Sequence, residues 1–154
     1  MKTLHLRPSY NEVVSLGITR DADDSAINAF DSVCGFLNTG KLPIPNRPKQ
    51  IIGESPQVSV LILPDYQNNG MLEDVCLKAV TTDRAIQCVD DYFKCVYSTV
   101  GREPKNKDIA KARLRVWLAS QIAPDKRLGE AAQAGYFNWD SPAFDGLKLF
   151  LQAL

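Results

Sequence analysis

The sequence predicts an α/β fold with a small, mainly parallel sheet and a helical C-terminal half. Two short apolar segments, residues 13–19 and 58–63, are rich in β-branched side chains. That composition is typical of strands buried on both faces. Residues 25–38, which lie between them, repeat apolar side chains at helical spacing. Two strands joined through a helix indicate a parallel crossover.

The bulk composition is that of a soluble globular protein. The chain has 154 residues, of which 45% are hydrophobic and 23% charged, and its length predicts a single domain spanning 1–154. It contains no apolar run of the ~18 residues that a membrane span requires, and its N-terminus lacks a signal-peptide pattern, so we expect a cytoplasmic protein. Its four cysteines lack paired C-x-x-C spacing, which favours buried, reduced thiols.

The remaining segments are assigned from periodicity and from helix-breaking residues. Residues 1–12 are predicted to be an arm or an edge strand, the proline-rich stretch 41–48 a connector, and 50–53 a short strand. Apolar spacing predicts five further helices: one over 71–80, one capped by Thr81 or Thr82 and ending at Gly101, one opening at 104–106 with Ile122 on its apolar side, one over 128–134, and one capped by Ser141. The aromatic residues Tyr136, Phe137 and Trp139 are predicted to pack in the core. Residues 101–154 thus form a helical extension.

Acidic side chains follow both predicted strands. Asp21 and Asp23 come directly after the first strand, two residues apart, so an extended chain would point both carboxylates the same way. Asp65 follows the second strand, and Glu73 and Asp74 come after the next turn. The carboxyl ends of parallel strands meet at one edge of a sheet, where α/β proteins bind ligands.

Carboxylates gathered in this way favour a divalent cation. Mg²⁺ prefers oxygen ligands, and a bound ion would relieve the repulsion among the carboxylates. A structural interpretation stays open, because Asp24 or Ser25 is suited to cap the helix while its neighbours are solvated.

Basic residues are concentrated in one part of a chain whose net charge is zero. Residues 101–127 carry eight basic and three acidic side chains. An acidic edge together with a basic helix suits a cation site beside a phosphate-binding surface, with Lys111, Arg113 and Arg115 as phosphate contacts. A solvated amphipathic helix would give the same charge count, so both interpretations stay open here.

Three stretches carry a resemblance to a known fold. These are residues 61–74 (LILPDYQNNGMLED), 125–132 (DKRLGEAA) and 139–144 (WDSPAF). They resemble a family of uncharacterised bacterial Toprim-like proteins, and the resemblance covers about residues 13–150. The first strand, which ends in Asp-x-Asp, and the acidic loop after the next strand resemble more broadly the Toprim fold of metal-dependent topoisomerases, DnaG-type primases and OLD-family nucleases. The resemblance implies a Rossmann-like sheet and a Mg²⁺ or Mn²⁺ site for phosphodiester chemistry on nucleic acid. It implies Asp21 and Asp23 as the matched carboxylates, and Asp65, Glu73 and Asp74 as further metal contacts.

The chain departs from the Toprim pattern at one position. That pattern has a glutamate on an earlier strand, whereas the only acid before Asp21 is Glu12, at the start of the same strand. Nine extended residues separate the two by roughly 30 Å. Two hypotheses follow: a metal-dependent nuclease or phosphotransferase, or a non-catalytic module for protein interaction or self-association. The missing strand also leaves an open sheet edge, which predicts a homodimer formed through that edge.

Overall fold

The computed structural model describes residues 10–154 and confirms a small α/β fold with a parallel sheet and a helical C-terminal half. The elements in chain order are β1 (Ser15–Asp21), α1 (Ala26–Thr39), β2 (Gln57–Leu63), α2 (Leu72–Ala79), α3 (Ala85–Val100), α4 (Ile109–Ala119), α5 (Leu128–Gln133) and α6 (Asp145–Gln152). Most of the predicted arm at 1–12 lies outside the described residues, and Tyr10–Glu12 forms a short 3-10 turn. None of the helices within 10–154 is both long and apolar enough to cross a bilayer.

The chain forms two compact units. The first contains the residues up to Met71 together with Asp145–Leu154, and the second contains Leu72–Phe144. The single domain inferred from chain length stays a prediction.

In the first unit, β1 and β2 pair in parallel from Ser15 opposite Gln57 to Asp21 opposite Leu63. One face of β2 packs on α1, whose buried residues include Val33 and Leu37. Six of the seven residues of β2 are buried, as predicted, but β1 contains no fully buried residue. Burial of β1 on both faces was therefore a wrong prediction. Among residues 10–154 its only strand neighbour is β2, so its other edge carries no strand to cover it.

Within residues 10–154 no strand pairs with the second edge of β1, which is relevant to self-association, but the homodimer stays a prediction. The outer side of β2 is partly covered, because Lys49 N donates to Val60 O at 2.8 Å and Ile52 forms an isolated bridge with Val58. The short strand predicted at 50–53 is thus a single bridge.

Helix α1 begins where the sequence predicted it, with the Ser25 hydroxyl accepting from Asn28 N at 3.2 Å.

The second unit is built from helices around an aromatic core. Trp117 of α4 is buried and lies 5.3 Å, centroid to centroid, from the ring of Phe137. Of the three aromatic residues predicted to pack in the core, Phe137 is buried, whereas Trp139 packs on Phe144 at 4.8 Å but is 47% exposed. The prediction that Ile122 lies on the apolar side of α4 is wrong. Helix α4 ends at Ala119, and Ile122 is fully exposed in the loop beyond it.

Asp83 links two helices of this unit. Its Oδ1 accepts from Ala85 N at 2.9 Å, at the start of α3, and its Oδ2 accepts from Trp117 Nε1 at 2.8 Å. The predicted cap at Thr81 or Thr82 is therefore wrong. Arg84 occupies the N-cap position without a side-chain cap bond, and the side chain that accepts from the first amide of α3 is that of Asp83. Asp83 follows these threonines directly. Its carboxylate has two oxygens and accepts from an α3 amide and from the buried indole at the same time, whereas a threonine hydroxyl has only one oxygen.

Replacing Asp83 with alanine should lower the free energy of unfolding by about 2 kcal/mol. The variant loses a cap and leaves the indole N–H of Trp117 buried without its acceptor. Urea unfolding followed by circular dichroism measures the change. Asp91→Ala is the control, since its ion pair with Lys94 is well exposed and should contribute less than about 0.5 kcal/mol. Equal effects of the two substitutions would contradict the proposed linking role.

Candidate functional site

The parallel register brings the two acidic loops to the same edge of the sheet. Asp21 ends β1 directly opposite Leu63, which ends β2. Beyond that pair, Ala22 N donates to Leu63 O at 2.9 Å, so the two chains stay adjacent as they leave the sheet. The sequence prediction that both carboxyl ends face one edge is confirmed.

A backbone clasp joins the two loops. Asp23 N donates to Gly70 O at 2.8 Å, and Gly70 N donates to Asp23 O at 3.0 Å. Asp23 has φ = 50° and Gly70 has φ = 135°. Aspartate adopts the left-handed region more readily than most residues, and at Gly70 only the lack of a Cβ makes the conformation easy. The residue types at both ends of the clasp therefore suit its shape.

The Asp65 carboxylate closes its own loop. Its Oδ1 accepts from Gln67 N at 3.2 Å and from Asn68 N at 2.8 Å, while its Oδ2 accepts from Asn68 Nδ2 at 2.8 Å. This is the turn that aspartate commonly forms with the amides two and three residues ahead. Both oxygens are thus engaged within the loop, and a metal ion would have to compete with those donors.

The other two predicted metal ligands, Glu73 and Asp74, lie in the first turn of α2, in the second unit. Across residues 10–154, no group of three or more His, Cys, Asp or Glu side chains is arranged to hold a metal ion. Mg²⁺ is often held by one or two carboxylates together with water, so metal binding at this edge stays a prediction.

A basic cavity of about 330 Å³ lies within the second unit. Helix α4 contributes Lys111 and Arg115, which are four residues apart and share one face of the helix. The loop before α5 contributes Lys126 and Arg127. The cavity is also lined by Glu73, Leu114, Leu118 and Leu128. We call this site the basic cavity.

The electrostatics of the basic cavity favour an anion. Four cations face one carboxylate, and none of the four forms an ion pair with any residue in the described part of the chain. Lys111 and Lys126 are half-buried, and Leu114 and Leu118 are buried. Ammonium groups beside an apolar wall have less water to screen them, so their attraction for an anion is stronger there than on an open surface.

Arg113 does not line the basic cavity, although it was predicted to contact phosphate with its two neighbours. It forms an ion pair with Asp90 of α3 at 2.5 Å. Each residue of an α-helix is rotated by about 100° from the one before it. Arg113 is two residues after Lys111, so it projects from the opposite side of α4.

The sequence analysis counted Lys126 and Arg127 in the basic segment but did not assign them to the phosphate-binding site. Their adjacency just before a helix start was the available signal.

The cysteines do not supply a neutral-pH nucleophile from the core. Cys76 is only 4% exposed, and burial, together with the nearby Glu73 carboxylate, raises the pKa of its thiol to about 12. Burial and Asp31 also raise the pKa of Cys34. Cys88 and Cys95 are exposed free thiols, so the prediction of buried cysteines is wrong for these two. They lie on the outer side of α3, away from its buried Val89.

Comparison with known proteins identifies a family. The whole chain, residues 1–154, matches the model of the family described as "Protein of unknown function (DUF3226)", and the chain belongs to that family. No curated protein and no solved structure matches it.

Iodoacetamide at mildly alkaline pH should alkylate Cys88 and Cys95 in the folded protein and spare Cys76. The reactive species is the thiolate, and a raised pKa keeps the buried Cys76 protonated under these conditions. Peptide mass spectrometry of native and urea-unfolded protein gives the comparison, with all four thiols modified in urea as the control. Modification of Cys76 at the rate of Cys88 in the native protein would contradict its burial.

Proposed function

We propose that this member of the DUF3226 family binds nucleic acid through its phosphates, with the basic cavity as the contact site. The observation that carries the proposal is the convergence of Lys111, Arg115, Lys126 and Arg127 on one concavity. Phosphate oxygens are the acceptors that lysine and arginine recognise most commonly on nucleic acids.

The shape of the basic cavity supports a ligand that enters it. Its volume of about 330 Å³ lies at the lower end of the range for ligand sites. A phosphate seated among the four cations would have Leu114, Leu118 and Leu128 beside it as an apolar wall. Glu73 gives the site one acceptor for a donor group on the ligand, such as a sugar hydroxyl or a base amine.

The charge distribution along the chain also supports this function. The whole protein has zero net charge, so its global field would not attract a polyanion. The positive charge is instead concentrated in residues 101–127, which contain all four cavity cations. Binding should therefore be local and sensitive to salt.

The proposal keeps the nucleic-acid partner of the first sequence hypothesis without its catalysis. It differs from the second hypothesis, which was a non-catalytic module for protein interaction or self-association. Among the described residues no three His, Cys, Asp or Glu side chains are grouped as metal ligands, so the carboxylates give Mg²⁺-dependent cleavage less support than the basic cavity gives binding. Asp65 is also occupied within its loop. Nucleic-acid binding at the basic cavity needs no resident metal.

The double variant Lys111→Gln with Lys126→Gln should bind a labelled single-stranded oligonucleotide more weakly by about tenfold or more, because each charged contact contributes on the order of 1.5 kcal/mol. Its plot of log affinity against log salt should also be shallower by about 1.4, since two phosphate contacts are lost. Fluorescence anisotropy over a salt series measures both quantities.

The matched control is Lys105→Gln with Lys107→Gln. It removes the same charge from the same basic segment, but neither lysine lines the basic cavity. Its affinity should stay close to that of the wild type. If both double variants lose the same affinity for the oligonucleotide, the effect is one of net charge alone, and the basic cavity is not the binding site. Competition by free nucleotide as strong as by the oligonucleotide would replace nucleic acid with a small phosphate ligand.

Removal of divalent metal should leave this binding unchanged. We expect the same affinity in EDTA and in millimolar Mg²⁺, after correction for ionic strength, because the four cavity cations contact phosphate directly. The double variant Asp21→Asn with Asp23→Asn should bind as the wild type does. If EDTA abolishes binding and the aspartate substitutions reproduce that loss, the acidic edge rather than the basic cavity is the site.

A further inference from the structure

A second cavity, of about 240 Å³, lies within the first unit. It is on the face of β2 that points away from α1: Val58, Val60 and Ile62 pack toward α1, and Ser59 alternates to the other face. The wall of the cavity consists of Ile51 together with Leu149, Phe150, Ala153 and Leu154 at the C-terminal end of the chain. We call it the Ser59 cavity.

An unpartnered hydroxyl lies at the base of the Ser59 cavity. Ser59 is 1% exposed, and its Oγ has no hydrogen-bond partner in the described structure. Burying a hydroxyl without a partner is unfavourable, and most buried polar groups in proteins are therefore satisfied. Valine would pack in this strand at lower cost. The hydroxyl therefore indicates a polar partner that enters the cavity from outside.

The wall of the Ser59 cavity is apolar and only partly covered. Phe150 is buried, but Leu149 is 63% exposed, and Ile51 and Leu154 are exposed as well. Exposed apolar side chains that cluster around a concavity mark a binding surface for an apolar group. The volume is below the usual range for drug-sized ligands, so the group is small.

A lysine provides positive charge at the same cavity. Lys49 lines it and is held with its Nζ 4.5 Å from the centroid of the Tyr66 ring. Its backbone is fixed beside Ser59, because Lys49 N donates to Val60 O. An ammonium group over an aromatic face retains N–H donors for a further acceptor. Lys49 forms no ion pair with any residue in the described range.

We infer that the Ser59 cavity binds a small aliphatic carboxylate. The carboxylate accepts a hydrogen bond from the Ser59 hydroxyl and is attracted by the Lys49 ammonium. The hydrocarbon chain lies along Leu149, Phe150 and Leu154. A water molecule is the simpler occupant, but it would leave the apolar wall uncovered and would find few polar partners there. This site is separate from the proposed nucleic-acid function, which uses residues of the other unit.

Isothermal titration calorimetry of the full chain with octanoate, below its micellar concentration, tests the inference. We expect saturable binding with one site per chain. Lys49→Gln should weaken it by about tenfold or more, since an interaction with a charged partner is lost. Ser59→Ala should also weaken it while raising the melting temperature of the free protein, because the substitution removes a buried unsatisfied hydroxyl. Lys41→Gln is the matched control, an exposed lysine of the same unit that does not line the cavity.

Three outcomes would overturn the inference. The first is the absence of octanoate binding, which would leave water as the occupant. The second is equally tight binding of octylamine, which would show that the Lys49 charge plays no part. The third is binding that both cavity variants retain at wild-type strength, which would place octanoate elsewhere. Melting curves of each variant without ligand show whether it is folded before its binding is compared.

Discussion

The acidic edge depends on the parallel pairing of β1 with a buried β2. Val58, Val60 and Ile62 of β2 pack with α1, and a shift of one residue would turn them away and bring the Ser59 hydroxyl to that face. The register is therefore strongly specified, and it fixes Asp21 opposite Leu63. The clasp between Asp23 and Gly70 and the loop closed by Asp65 both begin from that fixed point. The sheet has only two strands in residues 10–154, yet it determines where each loop starts.

In the second unit, helix α4 has a comparable organising role. Leu114, Trp117 and Leu118 are buried on its inner side, and Trp117 is tied to Asp83 by its indole N–H. With that side fixed, helical geometry determines where the basic residues point. Lys111 and Arg115 face the basic cavity, whereas Arg113 faces α3 and pairs with Asp90. The packing of α4 therefore determines which of its basic residues line the basic cavity and which one forms an ion pair with α3.

The sequence predicted features that depend on local periodicity and missed features that depend on partners. The two strands, their parallel direction, α1 and a helix cap at Asp24 or Ser25 followed from apolar spacing and residue type. The exposure of β1 was missed because an apolar strand looks the same whether or not a neighbour covers it. Asp65 was predicted to bind a metal because it follows the second strand. The three donors that its carboxylate accepts from are visible only in the structure. Ser59 gave no signal, since an unpartnered hydroxyl cannot be recognised without its surroundings.

The clasp between Asp23 and Gly70 has a consequence for how this edge tolerates change. Both of its hydrogen bonds use backbone atoms, so neither requires a carboxylate at position 23. Asparagine, which also accepts the left-handed conformation, would keep the same chain path with a neutral side chain. The shape of the edge is thus separable from its charge. Such an edge can lose or acquire chemistry through side-chain substitutions alone, with the scaffold left intact.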